Sequence, residues 1–438
     1  MLFRQFVDED LGCASYLVGD PEAGVAAVVD PAFRIEQYLS AADEAGMRVE
    51  RVLETHTHAD HLSGHGRLAL EHGLPVSIHP LAQAEYEHDP LADGEELRVG
   101  AVGVRVLHTP GHRPEHCSFV VDGQLVLTGD SLFVGDAARP DLAVAAREGA
   151  EDLFHSLTRL RELGGGVEVY PGHVAGSLCG GNMSAERSST IARERDSNAA
   201  LQYRELQEFV LVSASVSVPR PPTTERLVTL NRGPWVARPS DPPALSNAGE
   251  ATVLDVRPFE DHAAGHLPGA INVPVSASSF GTKAGFVLLA DEPLVLHARS
   301  AAEALEAAWE LWAIGILDVA GYVLDPAASD STTPVVDVGE LERLVARDGV
   351  QLVDVREPSE RDDGYIPGSR NIPYRLLRRV GSDTLDRGTP VVTICESGAR
   401  ATIAASLLRR EGFDARPVAS GGVPDFTGEI VGFRRCGT

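Results

Sequence analysis

The chain is almost without lysine: of its 38 basic residues, every one but Lys283 is arginine. Lys283 lacks the preceding glycine spacing of a phosphate loop, which excludes phosphate-loop NTPase chemistry. The basic residues are outnumbered by 64 acidic ones, and a net charge of −26 repels phosphate backbones and anionic bilayers alike. Neither nucleic acid nor a membrane is an expected partner. No apolar run reaches the length of a membrane span, and Met1 to Asp10 has neither the basic flank nor the apolar stretch of a secretory leader. A cytoplasmic location is expected. Cysteine is scarce too: Cys13, Cys117, Cys179, Cys395 and Cys436 are odd in number and scattered, which argues for individual reduced thiols rather than a disulfide framework. With 43% hydrophobic and 23% charged residues the composition excludes bulk disorder.

At about 150 residues per domain, 438 residues suggest three. Between Val218 and Pro243 the prolines 219, 221, 222, 234, 239, 242 and 243 crowd together, and the segment reads as a linker. A second break, DPAASDSTTP from Asp325 to Pro334, is short and polar. The two units that follow are a repeat. LDVRPFEDHAAGHLPGAINVP (Leu254 to Pro274) aligns without gaps to VDVREPSERDDGYIPGSRNIP (Val353 to Pro373), at an offset of 99. Each continues into a short apolar strand and an amphipathic helix; Leu305, Trp309, Trp312 and Ile316 are expected on one helix face in the first, and Ile403, Ala404, Leu407 and Leu408 in the second. The expected divisions are 1–235, 236–328 and 334–438.

In the first division four β-type runs each stop at polar residues: RVLETHTHADH, VRVLHTPGH, QLVLTGD and VEVYPGH. The second and third are joined through a strand pair with an Asp122-Gly123 turn. The strand ends carry His56, His58, Asp60 and His61, then His112, Asp130 and His173, seven potential metal ligands on similarly placed loops. A lone histidine is usually an ordinary core or surface residue, which is the reading for His65, His72, His79, His88, His108, His116 and His155.

HxHxDH followed by TPGH, GD and PGH resembles the metallo-β-lactamase fold, over about residues 1 to 210. The resemblance implies an αββα sandwich with metal at one rim. Hydrolases of this fold bind two metals, which here would place His56, His58 and His112 on one, Asp60, His61 and His173 on the other, with Asp130 bridging. Persulfide dioxygenases of the same fold hold one Fe(II), here through His56, His112 and Asp130, which leaves His58, Asp60, His61 and His173 around them. Two imidazoles and a carboxylate leave open positions for dioxygen and a sulfur substrate. Zinc is the alternative metal. In the dioxygenase segment that SLFVGDAARPDL resembles, an arginine helps hold the thiol; Arg139 matches it, although Ala138 stands where the family usually has glycine. A salt bridge with Asp136 or Asp141 is the plainer role for Arg139.

Cys395-Glu396-Ser397-Gly398-Ala399-Arg400 lies between a strand and a helix, where backbone amides favour a thiolate or persulfide. With the upstream DVRE and GYIPGSRNIP it resembles a rhodanese domain, in which Cys395 would carry sulfur, Glu396 to Ala399 would line it and Arg400 would close the loop. The first repeat has no cysteine; aligned on Gly315, Ala298 takes that place, so it resembles a degenerate rhodanese. Cys13 and Cys179 are candidate auxiliary thiols, although their small neighbours suit buried packing.

The fold class is therefore α/β: an N-terminal metallo-β-lactamase sandwich followed by two small rhodanese-like domains. The resemblance implies a persulfide dioxygenase and sulfurtransferase that uses one Fe(II) per chain, a low-molecular-weight thiol persulfide and O2, with sulfite as sulfur acceptor, in a homo-oligomer. The alternatives are a dinuclear zinc thioester hydrolase of the glyoxalase II type carrying rhodanese domains, and a sulfur-relay or docking module.

Overall fold

The central strands Ala14–Asp20, Val25–Val29, Cys117–Val121 and Leu125–Gly129 are buried at every position because both faces of each sheet are covered there. The first sheet orders Leu2–Val7 (β1), Ala14–Asp20 (β2), Val25–Val29 (β3), Arg48–Leu53 (β4), Val76–Ile78 (β5) and Asp89–Pro90 (β6) side by side. The second runs Glu96–Val99 (β7), Val102–His108 (β8), Cys117–Val121 (β9), Leu125–Gly129 (β10), Glu168–Pro171 (β11) and Ser189–Thr190 (β12). Alternate residues divide between two cores. Tyr16, Val18, Ala27 and Val29 meet Val104, Val106, Phe119 and Leu127 between the sheets, while Leu17, Ala26 and Val28 turn outward onto the helices Glu36–Glu44 and His65–His72. On the far side Leu107, Val120 and Val126 pack against Leu153, Leu157 and Leu160 of the helix Ala146–Arg161. The result is an αββα sandwich. The β9–β10 turn is where the sequence places it, with Asp122 and Gly123 both at positive φ.

In this computed structural model residues 1–432 are described apart from 142, 175–183, 185, 216–219, 290, 325–330, 348 and 379–381. Cys179, Cys436 and the first six residues of the DPAASDSTTP break lie outside the described residues. Among the described residues no helix is long and apolar enough to cross a membrane. The chain forms two compact units, Met1–Pro239 with Trp312–Ile316, and Ser240–Leu311 with Leu317–Thr438.

The presumed linker is not simply a linker. Between Pro222 and Pro234 the chain forms a helix, Thr224–Arg232, that buries Leu227 and Asn231. The eleven proline-free residues leave room for its nine, about two and a half turns.

The second unit holds two parallel four-stranded sheets. One orders Ile271–Asn272 (β14) beside Thr252–Asp255 (β13), then Leu294–Ala298 (β15) and Val319–Leu324 (β16); the other orders Arg370–Asn371 (β18), Gln351–Asp354 (β17), Val391–Ile394 (β19) and Ala415–Pro417 (β20). The repeated motif residues hold this architecture. Asp255 takes Arg257 through two nitrogens, and Asp354 takes Arg356 in the same way. Each arginine also reaches the carbonyl of Gly265 or Gly364, and Asn272 and Asn371 each bridge the two carbonyls of their own Asp and Arg.

The helix faces differ from the expectation. In Ala301–Ala313 the buried side is Ala304, Ala307, Ala308, Leu311 and Trp312, whereas Leu305 and Trp309 are partly exposed. Small alanines let the helix approach more closely than the large residues would. In Ala399–Arg410 everything from Ala401 to Leu408 is buried, because this helix packs on its own sheet and on β14 of the first repeat, where Asn272 N–H donates to Ser406 Oγ.

Candidate functional site

The loops after β4, β8 and β10 bring His56, His112 and Asp130 together, with one ligand atom of each within 4.8 Å of the others. All three are buried. Hydrogen bonds on the far side of each ring decide which nitrogen faces inward. The Thr55 hydroxyl donates to Asp30 Oδ2 at 2.8 Å and so accepts from His56 Nδ1 at 2.8 Å, which leaves the lone pair on Nε2. His112 Nδ1 donates to the Arg139 carbonyl at 3.2 Å. Both Nε2 atoms then face Asp130 Oδ2, at 3.9 and 3.4 Å. His56 Nε2 and Asp130 Oδ2 are buried with no hydrogen-bond partner, a donor set that suits a metal ion. Burial, aided by neighbouring histidines, holds His56 far below the ordinary imidazole range, and burial lowers His112 as well. Burial would raise Asp130, but the adjoining His173 charge and hydrogen bond, with His112, outweigh it and keep the carboxylate ionised. Neutral imidazoles beside a carboxylate are the protonation states that metal binding requires.

The other four candidates are engaged elsewhere. His58 Nε2 lies 3.0 Å from Glu54 and 3.3 Å from Asp30. Burial opposes its charge, yet these two carboxylates prevail and raise it well above the usual value. His173 spans two carboxylates, Nδ1 to Asp130 Oδ1 and Nε2 to Asp60 Oδ2, both at 2.7 Å. Asp60 Oδ2 also meets His61 Nδ1 at 3.2 Å and the Cys13 thiol at 3.3 Å. Cys13 is thus buried as its neighbours suggested, but against a polar cluster at the rim, and burial raises its thiol first, with Asp60 adding to it. Two further groups could each hold a cation, Cys13 with Asp60 and His61, and Asp30 with Glu54 and His58.

Arg139 is buried rather than superficial, and Asp141 holds its guanidinium through two nitrogens at 2.7 and 2.8 Å. Its carbonyl accepts from the candidate ligand His112. Gly129 has φ +47, and a Cβ there would lie 2.6 Å from His116 Nε2 and 2.7 Å from Thr55 Oγ1. Asp130 therefore needs a glycine before it.

Sequence reasoning missed Asn231. Its amide donates to the carbonyls of His58 (2.9 Å) and His61 (2.8 Å), and its oxygen accepts from Ser63 N–H at 2.9 Å. It fastens the HxHxDH loop from a segment read as linker. The proline-free TTERLVTLNR was the available signal. Glu115 was missed as well: it accepts from Thr57 N–H and from Arg113, and so ties the TPGH loop to the first ligand loop.

In the second repeat Cys395 follows β19 and is buried, with Gly398 N–H donating to its sulfur at 3.1 Å. Gly398 has φ +98, and a Cβ there would fall 2.2 Å from the Ala419 carbonyl. Glu396 is exposed, and Ser397 and Ala399 complete the loop into the helix. Arg400 is held by both oxygens of Glu360 at 2.6 Å, from the helix Pro358–Asp362, with Glu396 at 3.9 Å. Burial works against its charge, but Glu360 raises it. In the first repeat Val256 N–H pairs with the His297 carbonyl as Val355 N–H pairs with that of Ile394, which sets Ala298 where Cys395 stands. Its helix begins three residues after Ala298, against four after Cys395.

A rim of histidines and carboxylates on an αββα sandwich defines the metallo-β-lactamase class of fold, and the second unit adds a cysteine loop of the rhodanese-like kind. The comparisons name the family. The metallo-β-lactamase superfamily model matches residues 8–173, and the rhodanese-like domain model matches 241–325 and 337–429. The chain is 30% identical to the mitochondrial persulfide dioxygenase ETHE1 of Bos taurus, over 53% of this chain and 87% of that one. It is also 30% identical to a hydroxyacylglutathione hydrolase of Methylococcus capsulatus, over 56% and 90%. Among solved structures, a metallo-beta-lactamase from Staphylococcus aureus superposes with TM-score 0.68 at 29% identity, covering 74% of this chain and 98% of the other. The chain belongs to the metallo-β-lactamase superfamily, with persulfide dioxygenases among its homologues, and carries rhodanese-like domains.

Proposed function

We propose that this protein is a cytoplasmic Fe(II) persulfide dioxygenase joined to a rhodanese-type sulfurtransferase. One observation carries the metal assignment: among the described residues His56, His112 and Asp130 bring two imidazoles and a carboxylate of the seven candidates within 4.8 Å of one another, while His58 is claimed by Glu54 and Asp30, and Asp60 joins His61 and His173. Iron held there would supply the redox chemistry that joins dioxygen to sulfane sulfur. The chain's own part is positional: Thr55 and the Arg139 carbonyl aim the two imidazoles, and His173 orients Asp130. The overall oxidation takes a persulfide, O2 and water to a thiol, sulfite and two protons. A second persulfide would then pass its outer sulfur to Cys395, releasing thiol, and Cys395 would pass it to sulfite, giving thiosulfate. Gly398 N–H supports negative charge on that sulfur. Arg139 would hold the thiol carrier only if its guanidinium exchanged Asp141 for the carrier's carboxylate.

The similarity to a hydroxyacylglutathione hydrolase supports a second reading, a dinuclear zinc thioesterase, in which His58 would leave Glu54 and Asp30 for the metal. Metal analysis of protein expressed with both iron and zinc, together with O2 uptake on several persulfides, separates the two. We expect one iron per chain and persulfide-dependent O2 uptake. Two zincs, thioester hydrolysis and no O2 uptake would establish the second reading.

A further inference from the structure

Within the second unit the two repeats enclose a cleft of about 460 Å³. Its walls come from both: the His266 to Ala270 segment of the first repeat, Ser331 at the junction, and the last turn of the Ala399–Arg410 helix with the residues after it. Arg409 and Arg410 stand on that last turn. Arg409 donates to the carbonyls of Ala415 (3.3 Å) and Thr332 (2.7 Å), and Arg410 to the Gly269 carbonyl and Thr252 Oγ1, both at 3.0 Å. All four partners are neutral oxygens. Neither arginine forms an ion pair among the described residues, whereas Arg113, Arg139, Arg356, Arg378 and Arg400 each have a carboxylate.

The neighbouring carboxylates are already taken. Asp414, in the cleft wall, is held through both oxygens by Arg416 at 3.1 and 2.7 Å. Glu292 is held by Arg378 at 2.5 Å. Four arginines (378, 409, 410 and 416) against two carboxylates (292 and 414) leave an excess of two positive charges in a chain whose net charge is −26. His266 adds no charge, since burial, with its stacked neighbour His262, pushes it down to about 4. Burial and the nearby Arg378 also disfavour the charge on Arg410, a strain that an anion would relieve.

Basic residues at a helix C-terminus are ordinary, because they answer the dipole. Here the helix end is already closed by backbone: Glu411 and Phe413 N–H groups take the carbonyls of Leu407 and Leu408. Helix capping therefore needs neither guanidinium to cross to the first repeat, and it does not account for a cavity beside them.

We propose that this cleft is a binding site for a small divalent oxyanion, gripped by Arg409 and Arg410, with the cysteine-free repeat supplying the opposite wall. Guanidinium groups suit planar and tetrahedral oxyanions, and the cleft has room for sulfate, thiosulfate or phosphate. The site lies at the end of the helix opposite the Cys395 loop, so it is separate from sulfur transfer. It gives the silent repeat a ligand-binding part.

The test is calorimetric titration of the full chain with sodium sulfate, thiosulfate and phosphate at fixed ionic strength, in a Cys395→Ser background so that thiosulfate cannot react with the loop. One saturable site per chain is expected, and the order of affinities identifies whether sulfur oxyanions or phosphate are preferred. Arg409→Gln with Arg410→Gln should weaken binding by about tenfold or more. Because Arg410 also bridges the repeats, Pro268→Asp is the second variant: Pro268 is exposed in the cleft wall, and the substitution keeps both arginines while placing a carboxylate opposite them. It should weaken binding comparably without lowering the melting temperature. No saturable binding, or binding that Pro268→Asp leaves unchanged, overturns the proposal.

Discussion

A single amide at position 231 holds the ligand loop by three bonds, and each end of those bonds is buried. Asn231→Ala leaves two carbonyls and one N–H without partners, at about 1–3 kcal/mol for each group that water cannot reach. We expect a lower melting temperature and a metal content below that of wild type, measured on protein purified in parallel. Asn231→Asp keeps the acceptor for Ser63 but sets a buried carboxylate oxygen against the His58 and His61 carbonyls, and should lower both at least as far as Asn231→Ala. Asp141 offers a test through pH. Burial would raise it, but Arg139 and Arg220 outweigh burial and bring it to about 2, below the usual value of about 3.9. A carboxylate depressed on folding contributes stability above its unfolded pKa and loses it as pH falls through the folded value. Asp141→Asn should therefore melt lower than wild type at neutral pH, and the gap should close as pH falls from about 4 to about 2. A gap that stays constant with pH would mean that the ion pair to Arg139 adds nothing.

At the scale of elements, the central strands were legible as short apolar runs that stop at polar residues, because both faces are buried there and the loops after them are not apolar. Helix faces were not. Which side of Ala399–Arg410 is covered depends on β14, about 130 residues earlier in the chain, and no local pattern records that neighbour. The loop before this helix makes its own prediction. Gly398 sits at φ +98 against the Ala419 carbonyl, so Gly398→Ala must shift the loop and move the amide that faces Cys395. Sulfurtransferase activity should fall by at least an order of magnitude, about the effect of losing one positioned donor. Persulfide-dependent O2 uptake should be unchanged, because that site is built on other strands.

For the whole molecule the question is whether oxidation and transfer share a pathway. If Cys395 accepts sulfur and hands it to sulfite, the intact protein should release mostly thiosulfate. Cys395→Ser should then release sulfite at the same oxygen stoichiometry. Quantifying both products under limiting persulfide decides this: equal sulfite from wild type and variant would mean two activities in one chain without exchange. The same variant tests the silent repeat, since Ala298 offers no nucleophile; any transferase activity left in Cys395→Ser would have to arise from another thiol.

The class of each part was legible from local spacing. HxHxDH, TPGH, GD and PGH each end a strand, the gapless repeat of Asp, Arg, Gly and Asn encodes two copies of one architecture, and Cys395 stands out because its repeat partner is Ala298. These are local facts, carried by spacing within a few tens of residues. Which of the seven candidate ligands converge depended on the packed core, because nothing in the spacing of HxHxDH says whether His58 turns to His56 or to Glu54 and Asp30. That core also decided that Asn231 serves the ligand loop and that Arg139 is engaged by Asp141. A side chain's partner is chosen by distances across the folded core, and spacing along the chain does not contain them.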